Sequence, residues 1–404
     1  MRVFKMAWRK VWRNRRRTIV TIAAMSLALF SMIQYSGLMT GYLHGMERNI
    51  LDLEMGDIQI FAPDYLDKPS IYSRIENPND LIKKLEAAGY HASGRLKGGG
   101  LAAGENSSAG AVFRGVDPGQ DASVSDVYKH VLRGKWLDAG EPAGIVIGRR
   151  LALSLDVDVG DEVIVLSQAA DGSMANDLFK VRGVLKSIGE EVDRGGIYMI
   201  DQTFRELMVV PDGVHQIIVR KPPTVLLDKA TDEVASIAGV ADTRSWRQLT
   251  PTLASMLDSS RGAMYFMFVI VFLAIAIVIL NAMLMAVFER IREFGVLKAI
   301  GVAPWVVFKI VITETMIQTG LAIAAGGILS IPAGIYLSTS GINLSSMSGA
   351  SIMGIAWDPI WRSSFSVQTF AGPVVMLAAI VLMAVLYPAL KAAFIRPVAA
   401  MHHR

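Results

Sequence analysis

The chain has 404 residues, 52% of them hydrophobic, with no cysteine and a formal net charge of +4. A mean hydropathy of +0.41 favours a membrane protein over a soluble enzyme, although the length would hold two or three domains. Without cysteine there are no disulfides, thiolate nucleophiles or zinc-thiolate sites, and neither His-Glu-x-x-His nor Gly-x-Ser-x-Gly occurs, so no catalytic residue, metal ligand or bound cofactor is assigned.

Residues 1–17 carry eight Lys or Arg and no acid. Arg9, Lys10, Arg13, Arg15, Arg16 and Arg17 interleave with Trp8 and Trp12, which suits a helix lying on an anionic membrane surface with its tryptophans in the interface. Nucleic-acid binding is disfavoured because an apolar run follows at once. That run, residues 18–43, has no charged residue; as a helix it reaches roughly 39 Å against a hydrocarbon core of about 30 Å. It is also far longer than the roughly 7–15-residue core of a cleaved leader. Two patterns overlie it. Gly37, Gly41 and Gly45 recur every fourth position and are expected to let a helix of another subunit approach closely. Met25, Met32 and Met39 form a heptad-spaced stripe, read either as a compliant surface for acyl chains or as simple packing.

Residues 44–262 read as a soluble α+β insert. They hold 32 Asp or Glu against 24 Lys or Arg, a net of about −8. Short β-branched runs predict strands at Asp57–Phe61, Ala143–Ile147, Glu162–Leu166, Phe179–Val184, Ile197–Ile200 and Gln216–Val219. Helices are expected at Pro78–Ala88, Arg149–Ser154, Gln202–Leu207 and Val225–Ala238. The Gly/Ala/Ser-rich stretch Leu96–Gly110 reads as a loop, and Asp171-Gly172 as a hairpin turn.

Three further apolar runs follow, at 263–288, 306–337 and 370–393, separated by a turn at 289–305 and an outer loop at 338–369, with a tail at 394–404. Four spans put both termini on one side. The basic segment 1–17, Arg290, Arg292 and Lys298 in the turn, and Arg396 and Arg404 in the tail mark that side as cytoplasmic, so the insert faces outward. The turn has an apolar stripe with charges beside it, is bounded by Gly301 and Pro304, and reads as a short amphipathic helix suited to the groove of a soluble partner. Glu289–Arg292 and Arg290–Glu293 are spaced for ion pairs along it. Glu314 is the one carboxylate inside a span; an acid there demands a partner or a function, and with no other acid at its depth a structural or ATPase-side role is favoured over a proton relay.

These segments resemble a known family. Gly144–Leu166 followed by FKVRGVL is similar to the periplasmic core domain of MacB-type ABC permeases, Phe288–Gly301 (FERIREFGVLKAIG) resembles the coupling segment of the MacB/FtsX superfamily, and Tyr387–Met401 its C-terminal signature. AWRKVWRNRRRT, GDIQI and GINLS look closer to the lipoprotein-releasing LolC/LolE type. The resemblance implies a four-helix membrane protein with a large periplasmic α+β domain, acting in the bacterial inner membrane as the permease subunit of an ABC transporter that extracts lipoproteins. A MacB-like efflux or mechanotransmission permease is the alternative, and a membrane-anchored sensor the reading from another class. It further implies a cytoplasmic ATPase dimer that binds ATP and Mg, a second permease subunit, lipoproteins and a periplasmic carrier as partners, and coupling to the ATPase through Arg290, Arg292, Glu293, Phe294, Leu297 and Lys298. The sequence agrees that ATP must bind elsewhere, because Gly134-Lys135 lacks the spacing of a phosphate-binding loop. The family's carrier-recruiting subunit has an extended hairpin where this chain has only QAADGSMAND, which argues against recruitment by this subunit.

Overall fold

The computed structural model describes residues 2–13, 15–343, 351–352, 355–356 and 360–394. Arg396 and Arg404, the end of the segment Tyr387–Met401, and Leu344 and Ser345 of GINLS lie outside them.

The amphipathic start forms α1 (Arg2–Val11), which buries Ala7 and Val11 completely and exposes Phe4 and Trp8, in an aromatic row that Trp12 continues in the turn beyond it. A short break leads into α2 (Arg15–Ile50), and Thr18 Oγ1 donates to the Val11 carbonyl at 2.7 Å, satisfying an acceptor that the helix end leaves free. α2 runs on into one turn of π-helix, Leu51–Met55, which ends where Gly56 takes a φ of 62°.

Next come β1 (Ile58–Phe61), α3 (Pro78–Ala87), β2 (His91–Ala103), β3 (Ser108–Val116), α4 (Pro118–Asp121), β4 (Val131–Gly134), β5 (Gly144–Ile147), α5 (Arg149–Leu155), β6 (Glu162–Gln168), β7 (Met174–Leu185), α6 (Glu190–Gly195), β8 (Gly196–Ile200), α7 (Asp201–Met208), β9 (Gln216–Arg220), α8 (Leu227–Ala238), β10 (Asp242–Ser245) and α9 (Trp246–Leu249). These elements belong to one compact unit, His44–Met256. Within it β2, β3, β8, β5, β7 and β6 pair in a circuit that closes on β2, with β3/β8 and β5/β7 parallel and the other pairs antiparallel. Phe113, Ile147, Val165, Phe179 and Ile197 belong to its core. From β2 the sheet extends antiparallel through β9 and β1 to β10, where Ile58, Ile60, Ile217 and Val219 pack in one cluster with Leu85 of α3 and Val234 of α8.

All six strands and four helices read from the sequence are present here, and Gly172, at a φ of 85°, turns β6 into β7. The stretch Leu96–Gly110 is a correction, since it is most of the β2–β3 hairpin. Its glycines mark close approach and not a loop: a side chain at Gly100 would meet the Leu166 carbonyl at 2.3 Å and the Phe113 ring at 2.8 Å, and one at Gly98 the Phe204 ring at 3.1 Å.

The remaining helices are α10 (Pro251–Glu289), α11 (Ile291–Ala299), α12 (Pro304–Thr339) and α13 (Val367–Phe394). α2, α10, α12 and α13 are long and apolar enough to cross a membrane. Their common core includes Met25, Leu29, Phe272, Val307, Ala322, Leu377 and Val381. Between α12 and α13, Ile342–Asn343 pairs antiparallel with Ile360–Trp361.

His215, just before β9, is fully buried. Its Nδ1 accepts the Lys97 backbone N–H at 3.0 Å and its Nε2–H donates to the Ile71 carbonyl at 3.1 Å, so the fold takes the neutral ring with the proton on Nε2. Burial lowers its pKa to about 4. Because the unfolded ring binds a proton nearer 6.5, this group's contribution to stability is complete above that pH and is lost as the pH falls toward 4. Over that window it amounts to about 3 kcal/mol. The denaturation midpoint of the outer unit should therefore fall between pH 7 and pH 4.5 by more in the wild-type chain than in His215→Gln. Equal acid sensitivity of the two would contradict the assignment.

Candidate functional site

The site that joins the most sequence-predicted residues is the turn between α10 and α12. α10 stops at Glu289, and Arg290 sits in the break before α11 with its side chain turned inward. Arg290 Nη1 donates to both carboxylate oxygens of Glu314 on α12, at 3.1 and 3.0 Å, and both residues are buried. The intramembrane acid is thus held by a cation from the neighbouring turn, beside Thr21 and Gln318 in a small polar cavity. The intrahelical pairs expected along the turn are replaced: Glu289 bonds Arg17 at 3.0 Å and Glu293 bonds Arg13 at 2.6 Å, so the basic start of the chain neutralises the turn. From the sequence Arg13 and Arg17 read only as part of a membrane-surface helix and not as partners of the turn. The signal for them was there, two acids in the turn facing an otherwise unbalanced basic segment.

α11 itself has two unlike faces. Phe294 is 2% exposed and sits in the membrane-helix core, with Leu297 packed against the same cluster. Lys298 Nζ donates to the Ala392 carbonyl at 3.1 Å, where a cation suits the carbonyl-rich last turn of α13. Phe294 and Lys298 are therefore corrected from docking residues to residues that fasten the turn to its own chain. The free face carries Arg292, Val296 and Ala299, spaced by four and three, and Ile300 follows at 73% exposure.

The first span requires two corrections. Met25 and Met32 are buried in the helix core and Met39 packs against it, so the stripe is packing and not an open acyl surface. A side chain at Gly41 would meet the Arg362 carbonyl at 2.0 Å, and one at Gly37 Ser363 Oγ at 2.4 Å, while Gly45 faces open space. Gly37 also accepts the Ser364 N–H at 2.9 Å. The glycines at 37 and 41 thus admit the chain's own segment before α13 and not another subunit's helix.

A second cluster, missed in the sequence, surrounds the π-turn that ends α2. Arg95 of β2 makes two hydrogen bonds to Asp121, at 2.7 and 3.1 Å, and donates to the Glu54 carbonyl at 3.3 Å. Arg114 of β3 lies 3.1 Å from the Glu54 carboxylate, which also accepts from the Tyr198 hydroxyl. Arg220 holds Asp52 at 2.6 Å. With both arginines almost completely buried, the end of α2 is fixed by charge-assisted bonds that water barely screens. Glu54 and its arginines are 41 and 60 positions apart in the chain, so no local pattern announces them.

A model of the MacB-like periplasmic core domain matches residues 18–237, more than half of the chain, and a model of the FtsX-like permease C-terminal region matches 265–397. The lipoprotein-releasing system transmembrane protein LolC of Xylella fastidiosa is 25% identical over 313 residues, covering 72% of this chain and 73% of that protein. An uncharacterised ABC transporter permease of Methanocaldococcus jannaschii is 21% identical, covering 83% of each. Among solved structures, the periplasmic region of MacB from Actinobacillus actinomycetemcomitans aligns with 51% of this chain and 95% of its own length at 15% identity and a TM-score of 0.37.

The two faces of α11 predict opposite phenotypes. Phe294→Asp buries an unpaired charge and should lower the thermal stability of the solubilised chain, by on the order of 4 kcal/mol. Val296→Asp should leave the melting temperature unchanged and weaken binding of a cytoplasmic partner in a pull-down. A stable Phe294→Asp chain would mean that this side chain is not in the core.

Proposed function

The chain belongs to the MacB/FtsX superfamily of ABC transporter permeases, and on that premise we propose that it draws on a cytoplasmic ATPase dimer to extract lipid-anchored protein from the outer leaflet of a bacterial inner membrane. The observation that carries the coupling half is the two-faced turn: one face of α11 is tied to α12 and α13, and the other presents Arg292, Val296 and Ala299. A helix fastened on one side transmits a push applied on the other. ATP and Mg are bound by the partner, and a second permease subunit, a copy or a relative, completes the assembly.

The cargo half is supported by the lipoprotein-releasing relatives and by the second span. Lifting an acyl chain out of the bilayer opposes about 0.8 kcal/mol per methylene, which is why such a step needs coupled work. With the methionine stripe internal, the acyl-contact role moves to the exposed side of α10, where Tyr265, Phe266, Leu273 and Ile277 are each more than half exposed. A mechanotransmission reading is favoured by a different observation, the ion-pair clamp at Glu54, which would carry motion of α2 into the outer unit with no cargo in the membrane.

A photo-crosslinker at Phe266 or Leu273, in the complex with its ATPase, distinguishes these readings. Lipoprotein extraction predicts capture of triacylated protein without nucleotide and a weaker signal once ATP is trapped, while the same label at Met32 captures only this chain. Crosslinks at 266 and 273 to bulk phospholipid alone, with no nucleotide dependence, would leave the mechanotransmission reading.

A further inference from the structure

An apolar groove runs between α2 and α12, apart from the coupling turn and from the exposed side of α10. Its origin is a close helix approach. Ser26 Oγ donates to the Ala322 carbonyl at 3.2 Å, and a side chain at Gly326 would meet the Ser26 carbonyl at 2.8 Å. Small residues therefore form the floor, with Ala23, Ser26 and Ala325 lining it, and large ones stand as walls, among them Leu27, Phe30, Leu321 and Leu329. From Ile19 to Phe30 the α2 side of the groove is about 16 Å long at 1.5 Å per residue, the depth of one leaflet of a hydrocarbon core about 30 Å thick.

The two ends of the groove differ. Pro332 and Ala333 lie toward one end and Trp12 closes the other. Around Trp12 the chain is strongly basic: Arg15 and Arg16 stand one turn before Ile19 on the same helix face, and Arg9 lies in the last turn of α1, just ahead of Trp12. All three are exposed, and among the described residues they form no ion pair, whereas Arg13 and Arg17 are engaged by Glu293 and Glu289. An apolar slot one leaflet deep, ending at a tryptophan and unpaired guanidiniums, matches one kind of molecule, with an acyl chain and an anionic phosphate at its head.

We propose that the groove between α2 and α12 is a binding site for an anionic phospholipid of the leaflet on the N-terminal side, with an acyl chain along Ala23, Ser26 and Ala325 and the headgroup phosphate on Arg9, Arg15 and Arg16. Trp12 sits at the headgroup boundary, where an indole ring is favoured. The lipid then joins α1 to the first and third spans at the level of the coupling turn.

The test uses the full-length chain in phosphatidylcholine nanodiscs containing a trace of phosphatidylglycerol with a photoactivatable acyl chain, and in a parallel arm phosphatidylcholine carrying the same chain. The phosphatidylglycerol probe is expected to label Leu27, Phe30 or Leu329 preferentially. The double variant Arg15→Gln, Arg16→Gln, at exposed positions the fold does not need, should cut that labelling by at least about tenfold with no change in melting temperature. Ala325→Phe, which fills the floor, should remove it with the arginines intact. Equal labelling by both probes, or labelling indifferent to the arginines, overturns the proposal. So do crosslinks from a photoactivatable residue at Leu27 into a second copy of the chain, which would assign the groove to a subunit interface.

Discussion

The coupling turn depends on one ion pair buried among membrane helices. Arg290 and Glu314 would each be costly alone in this environment, and together they remain tolerable only because one guanidinium nitrogen reaches both carboxylate oxygens. That demand fixes the geometry around it. α10 breaks just before Arg290, the side chain turns inward to α12, and the next turn of α11 brings Phe294 into the same core. The acids left on the turn, Glu289 and Glu293, are taken up by Arg17 and Arg13. A short helix held this way behaves as part of the span bundle.

At the other end of α2 the same physical solution recurs with a different purpose. Glu54 on the π-turn meets two buried arginines and a tyrosine of the sheet, while Asp52 meets Arg220. Apolar packing alone would let a helix end slide or rotate. Paired charges in low dielectric fix its register, because every shifted position leaves a buried charge uncompensated. The closed strand circuit gives these arginines their rigidity, since β2 and β3 pair over nine consecutive residues from Arg95↔Val116 to Ala103↔Ser108.

Much of this was legible in the chain. Apolar runs of bilayer length gave the four long helices, β-branched runs between Gly, Asp and Pro gave six strands, and the lone acid at Glu314 announced that a partner must exist. The failures have a common cause: small or flexible residues state that something comes close without stating what. Gly41 reads identically whether it admits another subunit or the Arg362 carbonyl of its own chain, and Gly98 and Gly100 look like a loop until Phe204 and Phe113 are seen above them. Met32 reads the same inside a bundle as on a lipid face. Long-range charge pairs were equally silent, because Arg290 had nearer acids in sequence than the one it selected in space.

Arg290 and Glu314 form one unit that fastens the turn between α10 and α12 to the third span. A double-mutant cycle on the stability of the solubilised chain, with Arg290→Gln, Glu314→Gln and both together, tests it most directly. Each single change strands a buried charge and should cost about 3–5 kcal/mol, and the double change should cost clearly less than their sum. Losses that add to within about 0.5 kcal/mol would contradict the claim, because residues that do not interact behave in that way.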